Sequence, residues 1–246
     1  MRDSVIVTKN LTRKFGDFAA VDKISFDVKK GEIFGFLGAN GAGKTTAIRM
    51  LIGVLKPTSG EATVAGHDVY KESEAIKREI GYMSQKFSLY QDLTVQENIR
   101  LYGGIYGLSM KSIREKSDEL VEILGLQDVR HKRISSLPLG WKQKLAFSVA
   151  IMHEPAIVFL DEPTGGVDPI IRRQFWELIY KTSNEGTTVF VTTHYMDEAE
   201  YCDRVTIMVD GRIEAIGRPN ELKEKFSASD IEDVFVELAR GAKRAD

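Results

Sequence analysis

The sequence is short of cysteine, and it has no long apolar run and no excess of charge of either sign. Its one cysteine, Cys202, cannot form a disulfide within the chain, which fits a reducing compartment. No run approaches the roughly 18 apolar residues of a membrane-spanning helix. The opening MRDSVIVTKN lacks the apolar segment of a signal peptide. We therefore expect a cytosolic chain, which could work at a membrane only if another chain supplied the spanning helices.

The charges nearly balance, with 34 lysines and arginines against 36 aspartates and glutamates and a formal net charge of −2. This balance supplies no general attraction to nucleic acid. Hydrophobic residues at 43% and charged residues at 28% are typical of a soluble globular chain. A length of 246 residues is enough for one large α/β domain, or for a core with a smaller inserted subdomain.

Short apolar runs alternate with helical patterns over most of the chain. The runs GEIFGFLG, AIVFL, TVFVTT and RVTIMV predict buried strands at residues 31–38, 156–160, 188–193 and 204–209. Helices are predicted at residues 43–53, 169–181 and 196–202. This alternation indicates a parallel sheet that is covered on both faces. Strand-like pieces within residues 5–28 fit a small antiparallel edge.

Residues from about 94 to 153 show helical patterns and no convincing strand. TVQE at residues 94–97 has the form of a capping box and opens a helix. A second helix is predicted at residues 111–124, with Gly125 as its C-cap, and a third at residues 140–153. The sequence therefore predicts an all-helical insert in an α/β core. Near the chain's end, EDVFVELA fits either a strand or a helix.

A glycine-rich segment, GANGAGKTT, follows the first of these buried strands and precedes a helix. It matches the phosphate-binding pattern G-x-x-x-x-G-K-[ST]. Glycines let successive N–H groups approach a phosphate, and the helix N-terminus adds the positive end of its dipole. We expect Lys44 to neutralise the β- and γ-phosphates and Thr45 to offer its hydroxyl to Mg²⁺. The expected nucleotide contacts are Gly38, Ala39, Asn40, Gly41, Ala42, Gly43, Lys44, Thr45 and Thr46.

Two acids end another predicted strand, in IVFLDE at residues 157–162. Ligands of open α/β sheets bind at the C-terminal ends of the strands. We expect Asp161 to hold Mg²⁺, directly or through water, and Glu162 to polarise the attacking water. Apolar runs that end in acids are also common in ordinary turns, so the pattern becomes specific only together with the phosphate loop.

These motifs, in this order, resemble the ATP-binding subunit of ABC transporters, over about residues 5–226. The resemblance implies a P-loop NTPase (RecA-like) core with a mostly parallel sheet, an N-terminal antiparallel β edge and an inserted all-helical subdomain. The corresponding division is a core of residues 1–89 and 154–228, a helical subdomain of residues 90–153 and a C-terminal tail of residues 229–246. The implied cofactors are ATP and Mg²⁺.

The resemblance also assigns roles to single residues. Gln85 in GYMSQ corresponds to a glutamine that links core and insert and joins the Mg²⁺ site, and His194 in VTTH to the switch histidine. With Lys44 and Glu162, these two are the expected catalytic residues. Asp168 in GGVD is expected at the nucleotide. Phe15 in RKFG is expected to stack on adenine, a contact worth about 1–3 kcal/mol in related sites. Taken singly, Gln85 and His194 also suit solvated loops, and Phe15 suits a core.

One motif departs from the family pattern. The family's signature loop reads Leu-Ser-Gly-Gly and contacts the nucleotide held by a partner subunit, whereas residues 137–141 read LPLGW. Pro138 has neither a hydroxyl nor an N–H, and Leu139 places a side chain where the family has bare backbone. Gly140 and the helix that follows keep their N–H groups, so Gly140 is expected to reach the partner's nucleotide. Trp141 is expected to pack against the helix.

Two interpretations of this loop stay open. In the first, Pro138 and Leu139 are tolerated and the chain keeps full activity. In the second, the chain works in a heterodimer. Its own phosphate loop is intact, whereas the signature loop that it supplies to the partner's site lacks hydrogen-bond donors. A partner subunit with a complete signature would then serve the nucleotide held by this chain.

The function implied by the resemblance is ATP hydrolysis that powers a transporter with separate membrane permease chains. DEPTGGVDP, THYMDEAEYCDR and the EDVFVELA tail are most similar to export-type subunits, including multidrug-efflux ATPases. The subunit is expected at the cytoplasmic face of the membrane, as a homodimer or heterodimer, without nucleic acid. Residues 86–99 are expected to meet the permease, although they also suit a core edge. The alternatives are a non-transport ABC-type ATPase with a cytosolic partner, and a nucleotide-binding regulator that does not hydrolyse.

Overall fold

The computed structural model describes residues 3–85 and 89–241, and within them ten strands form two sheets. The strands are β1 (Ser4–Phe15), β2 (Phe18–Lys29), β3 (Ile33–Gly38), β4 (Ser59–Val64), β5 (His67–Asp68), β6 (Ile80–Met83), β7 (Ile157–Asp161), β8 (Thr188–Thr193), β9 (Arg204–Val209) and β10 (Arg212–Gly217). The helices are α1 (Lys44–Leu51), α2 (Ser73–Glu79), α3 (Val95–Ile105), α4 (Met110–Ile123), α5 (Leu139–Ile151), α6 (Pro169–Asn184), α7 (Pro219–Lys225) and α8 (Ile231–Gly241).

The larger sheet has the strand order β10-β9-β3-β8-β7-β6. Neighbouring strands in this sheet pair in parallel, except that β10 pairs antiparallel with β9. Every residue of β3, β7 and β8 is buried, as expected for parallel strands that are covered on both faces. The predicted fold class and the four predicted core strands are therefore confirmed.

The smaller sheet is antiparallel, with the order β2-β1-β4-β5. The short strand-like pieces predicted in residues 5–28 are in fact one long hairpin, in which β1 pairs with β2 and register shifts interrupt the ladder. Phe26 of this hairpin packs on Phe34 and Phe190 of the larger sheet, with ring centroids 5.6 and 6.2 Å apart. Full burial of a phenylalanine side chain contributes about 1.5–3 kcal/mol. These ring contacts therefore anchor the hairpin to the core, and the hairpin carries Phe15 at the end of β1.

The connection from β6 to β7 carries α3, α4 and α5. Thr94 and Glu97 form the predicted capping box at the start of α3. The C-cap of α4 is Leu124, one residue before the predicted Gly125. Gly125 follows it with a φ of 64°, and its N–H donates to Glu122 O in the last turn of α4. Between residues 94 and 153, which the structure describes throughout, the β pairing consists of one isolated bridge from Thr94 to Arg133. The prediction of a helical segment here is confirmed.

The C-terminal segment forms α8, so the helical alternative for EDVFVELA is the one found. Ile231 and Val234 are buried against the core, while the opposite side of the helix is exposed. The segment predicted as a helix after His194 is a 3₁₀ helix at Met196–Tyr201. In the part of the chain that the structure describes, no helix combines the length and the apolar character needed to cross a bilayer.

Candidate functional site

The glycine-rich segment forms the turn between β3 and α1. Gly41 and Gly43 have φ angles of 83° and 107°, which L-residues with a side chain rarely adopt. A Cβ on Gly43 would lie 2.3 Å from Ala20 O, so the loop presses directly against β2. Both positions require glycine, and the loop ends at the N-terminus of α1, where helix N–H groups can meet a phosphate.

Lys44 is the first residue of α1, and its side chain is 4% exposed. Its ammonium donates hydrogen bonds to Gly38 O at 2.8 Å and to Ala39 O at 3.1 Å. It also lies 3.2 Å from Glu162 Oε1. The backbone of the phosphate loop thus holds the Lys44 side chain folded back onto the loop. Its ammonium group lies next to the acid pair.

The acid pair stands at the C-terminal end of β7, as predicted. Asp161 Oδ1 accepts hydrogen bonds from Thr192 Oγ1 at 2.7 Å and from Thr45 Oγ1 at 3.3 Å. Glu162 has a φ of 50°, and its N–H donates to the carbonyl and hydroxyl oxygens of Thr192. Thr192 therefore fixes both acids, although it was not among the predicted site residues. Three of the six residues in TVFVTT are threonines, so the sequence does not single this one out.

Asp161 fits a hard divalent cation. Its Oδ2 atom is buried and has no hydrogen-bond partner among residues 3–85 and 89–241. Burial raises the pKa of this carboxyl above its ordinary value, although the hydroxyls of Thr192 and Thr45 act in the opposite direction. A bound cation would satisfy the orphaned oxygen and favour the ionised form, and Mg²⁺ prefers oxygen ligands of this kind.

The Glu162 carboxylate is the centre of the site. Its Oε2 atom accepts a hydrogen bond from Gln85 Nε2 at 2.9 Å and lies 3.0 Å from His194 Nδ1, while its Oε1 faces Lys44. Its side chain is 8% exposed. Gln85 and His194 come from loops that follow β6 and β8, the two neighbours of β7. The parallel sheet thus brings three donors from distant parts of the chain to one carboxylate.

A cleft of 420 Å³ opens beside this cluster. Its lining residues are Phe15, Phe18, Ala20, Asn40, Gly41, Gly43, Lys44, Thr45, Thr46, Gln85 and Glu162. Phe15 and Phe18 are 49% and 55% exposed, so Phe15 does not belong to a core. Phe18 was not among the predicted site residues, although FGDF places it three positions after Phe15. A larger hollow, of 780 Å³, lies at the opposite end of β3 around Glu32 and Arg204, away from the predicted residues.

Five of the predicted nucleotide contacts lie outside the lining of this cleft: Gly38, Ala39 and Ala42 of the phosphate loop, and Asp168 and Gly140. Asp168 caps α6, where its Oδ1 accepts hydrogen bonds of 3.0 Å from the N–H groups of Ile170 and Ile171. Gly140 lies in the first turn of α5, and a Cβ there would approach Ile171 Cγ2 to 2.7 Å. Within the chain, these two residues belong to the contact between α5 and the start of α6.

The unusual loop before α5 is partly open. Pro138 is the N-cap of α5, and both Pro138 and Leu139 are exposed. Trp141 packs against the core, in agreement with the prediction. Of the surface expected to meet a permease, residues 86–88 lie outside the described residues, whereas Leu89 is buried and Tyr90 is 54% exposed.

Comparison with known proteins agrees with this geometry. The profile of the ABC transporter family matches residues 21–165. The "Probable multidrug ABC transporter ATP-binding protein YbhF" of Escherichia coli (strain K12) is 50% identical over 242 residues, which is 96% of this chain but 42% of that protein. The chain thus spans less than half the length of this relative. The "Linearmycin resistance ATP-binding protein LnrL" of Bacillus subtilis (strain 168) is 36% identical over 228 residues, or 92% of this chain and 73% of that protein.

Solved structures give the same result. An ATP-binding subunit of an ABC transporter superimposes with a TM-score of 0.86 at 27% identity, over 96% of this chain and 99% of that chain. The ADP conformation of an ATP-binding cassette of an ABC transporter gives a TM-score of 0.80 at 26% identity, over 98% and 100% of the two chains. The family profile, the relatives and the fold agree, and the chain belongs to the ABC transporter family as an ATP-binding domain.

Proposed function

We propose that the chain binds and hydrolyses ATP and thereby powers an ABC transporter, of the export or multidrug type. The observation that carries the proposal is the convergence of Lys44, Gln85 and His194 on the Glu162 carboxylate, at the edge of a cleft that begins in a phosphate loop. This is a set of groups that can hold a phosphate, orient water and accept its proton.

The proposed contacts follow the cleft from end to end. Phe15 stacks on the adenine, and the loop of residues 38–46 holds the phosphates, with Lys44 at the β- and γ-positions. Thr45, Asp161 and Gln85 hold Mg²⁺, which when bound neutralises charge on the phosphates. Glu162 orients the attacking water and receives its proton, and His194 holds Glu162 in place through the 3.0 Å contact. Asp168 contacts the nucleotide, and Gly140 serves the nucleotide of a partner domain.

The names of the relatives support a role in export. Besides the multidrug and linearmycin-resistance proteins, the chain is 39% identical over 212 residues to the "Bacitracin transport ATP-binding protein BcrA" of Bacillus licheniformis. We propose that the chain works as a peripheral subunit at the cytoplasmic face of a membrane, with permease chains and as a homodimer or heterodimer. The proposed division is a core of residues 1–89 and 154–228, a helical subdomain of residues 90–153 and a tail of residues 229–246.

A second candidate, a nucleotide-binding regulator that does not hydrolyse, is favoured by one feature. Pro138 offers no N–H at the N-terminus of α5, and Leu139 projects from it at 36% exposure. If the donated loop cannot complete a partner's site, two copies of this chain bind ATP without turning it over.

Mg²⁺-dependent ATP hydrolysis, measured over a range of protein concentrations, tests the proposal. We expect turnover that rises faster than linearly with concentration, since each site needs a second domain, and that is lost in Lys44→Ala. Lys30→Ala, which removes an exposed lysine from the turn before β3, is the matched control. ATP binding without turnover at every concentration would favour the regulator. Recovery of the chain with a membrane fraction only when permease chains are co-expressed would support the transport role.

A further inference from the structure

Behind the contact between Glu162 and His194, a second connection joins the same two loops. It is centred on Glu198, a carboxylate in the 3₁₀ helix after His194 that is 0% exposed. Glu198 Oε1 accepts a hydrogen bond of 2.6 Å from Thr164 Oγ1. Thr164 is itself 0% exposed and lies just after Glu162 along the chain. A charge this deeply buried is expensive, so core packing does not account for it.

Arg172, near the start of α6, extends the connection. Its Nε lies 3.7 Å from Glu198 Oε1, and its Nη1 lies 3.3 Å from Asp197 Oδ2. The guanidinium carbon is 4.1 Å from the centre of the Tyr195 ring, and the Tyr195 ring centre is 4.2 Å from that of His194. One guanidinium therefore touches both the buried carboxylate and the residue next to His194.

The contacts among these groups contribute little to the stability of the fold. Glu198 Oε2 and Arg172 Nε are both buried, and neither has a hydrogen-bond partner in the part of the chain that the structure describes. A buried ion pair whose hydrogen bonds are incomplete contributes little net stability, because its desolvation cost is not fully offset. Its location between the loops that carry Glu162 and His194 calls for another explanation.

We propose that Thr164, Glu198 and Arg172 form a positioning clamp that holds Glu162 and His194 at hydrogen-bonding distance, an inference that rests on the proposed ATP hydrolysis. The lining of the cleft includes none of the three residues, as far as the described residues show. The clamp therefore acts through Glu162 and His194 and does not touch the nucleotide. A small displacement of such groups lowers the rate of the chemical step far more than it lowers binding.

Thr164→Val tests the clamp with little change in shape, since valine replaces the hydroxyl with a methyl group. We expect kcat to fall about tenfold while KM for ATP stays within about twofold, because only the alignment for chemistry is lost. Thr164→Ser restores the hydroxyl and is expected to restore kcat. Thr206→Val is the matched control, since Thr206 is also 0% exposed and its hydroxyl donates to Gly35 O, away from the clamp.

Arg172, whose side chain is 20% exposed, supplies a second variant. Arg172→Met keeps the apolar stem and loses the guanidinium, so kcat is expected to fall with KM unchanged. Arg172→Lys is expected to recover part of the loss. Arg173→Met, at the next position, where the side chain is 84% exposed, is expected to match the wild type.

Amide hydrogen exchange without ATP separates the clamp from the hydrolysis on which the inference rests. We expect faster exchange over residues 194–201 in Thr164→Val and not in Thr206→Val. Unchanged exchange there, or equal losses of kcat in the two valine variants, would overturn the clamp. If the wild type turns over no ATP, the proposed function fails, and the exchange result still decides whether Thr164 ties the two loops together.

Discussion

Lys44 Nζ and Glu162 Oε1 lie 3.2 Å apart in an ion pair whose side chains are 4% and 8% exposed. An ammonium has three donors, and two of those of Lys44 are taken by Gly38 O and Ala39 O. The same ammonium also forms the ion pair with Glu162, and a γ-phosphate would need it as well. The carboxylate and the phosphate therefore compete for the same donor.

This competition makes a two-part prediction for Glu162→Gln. Hydrolysis is expected to fall at least about 100-fold, because an amide cannot accept the proton of the attacking water. ATP affinity is expected to rise, because the uncharged amide competes less for Lys44 and no longer repels the phosphates. Turnover assays and calorimetric titration with ATP measure the two effects.

The control for this variant is Glu177→Gln, which removes an exposed carboxylate of α6 that pairs with Arg173. It is expected to leave both quantities unchanged. Weaker ATP binding in Glu162→Gln would contradict the competition, and undiminished turnover would remove Glu162 from the chemistry.

Thr45 gives a prediction about Mg²⁺. Thr45→Val removes the hydroxyl that lies 3.3 Å from Asp161 Oδ1, and with it one of the proposed oxygen ligands. The Mg²⁺ concentration for half-maximal hydrolysis is expected to rise about tenfold, since about 1.4 kcal/mol of lost binding corresponds to that factor. A titration of hydrolysis with Mg²⁺ at saturating ATP measures it.

Thr45→Ser keeps the hydroxyl and is the matched control, with an expected midpoint close to that of the wild type. If the valine variant also keeps the wild-type midpoint, Thr45 is not a ligand. Chelation of Mg²⁺ should stop hydrolysis in all three proteins, and turnover that persists without the ion would exclude the proposed site altogether.

The elements that the sequence predicts well are those with a strong local signal. The strands β3, β7 and β8 read as apolar runs because they are buried on both faces, and the phosphate loop is contiguous. The edge strands β6 and β10 were missed by pattern alone. β6 has only four residues, and β10 mixes exposed polar residues into its alternation. The hairpin of β1 and β2 was predicted only in pieces, because register shifts such as that between Thr8 and Leu11 break its period.

The candidate site divides in the same way. Lys44, Thr45 and the acid pair stand in recognisable local motifs, whereas Gln85 was expected at the site only from the family resemblance. Its contact with Glu162 joins residues 77 positions apart and was not predicted. Thr192, Phe18 and Glu198 carry no motif of their own. Their importance comes from tertiary contacts. These contacts form when neighbouring strands pair and loops pack together, and local periodicity does not encode them.

The loop before α5 yields a prediction that distinguishes the two interpretations of LPLGW. Changing Pro138 to Ser and Leu139 to Gly together restores an N–H and a hydroxyl and removes an exposed side chain. Serine is also a favourable N-cap, worth about 0.5–2 kcal/mol to α5 relative to alanine. If the native loop limits activity, hydrolysis by the purified chain is expected to rise severalfold.

ATP affinity of the isolated chain is expected to stay unchanged in this double variant, because the loop lies outside the lining of the chain's own cleft. Val54→Gly, which removes an exposed apolar side chain before β4 and outside the cleft, serves as the control. Equal turnover in the double variant and the wild type would show that Pro138 and Leu139 are tolerated, and would remove the reason to require a partner with a different loop.

His153 is placed to make the stability of the chain depend on pH. Its ring stacks on Tyr106 at 3.7 Å, and its Nε2 lies 3.1 Å from Ile80 O. Its Nδ1 is buried with no hydrogen-bond partner in residues 3–85 and 89–241, so a proton there would be unsatisfied. Burial lowers the pKa of His153 below its ordinary 6.5, and Lys116 adds to this, while the Ile80 carbonyl and Glu79 oppose it.

The folded chain therefore binds fewer protons at His153 than the unfolded chain, and stability is lost as the pH falls below about 6.5 towards the lowered pKa. His153→Gln keeps a donor for Ile80 O but cannot titrate. We expect the free energy of unfolding in urea to fall less between about pH 7.5 and about pH 5.5 in this variant than in the wild type. His131→Gln, at an exposed histidine, is expected to follow the wild type. Equal losses in all three proteins would mean that His153 already accepts its proton without cost in the folded chain, through a rearrangement that gives Nδ1 a partner.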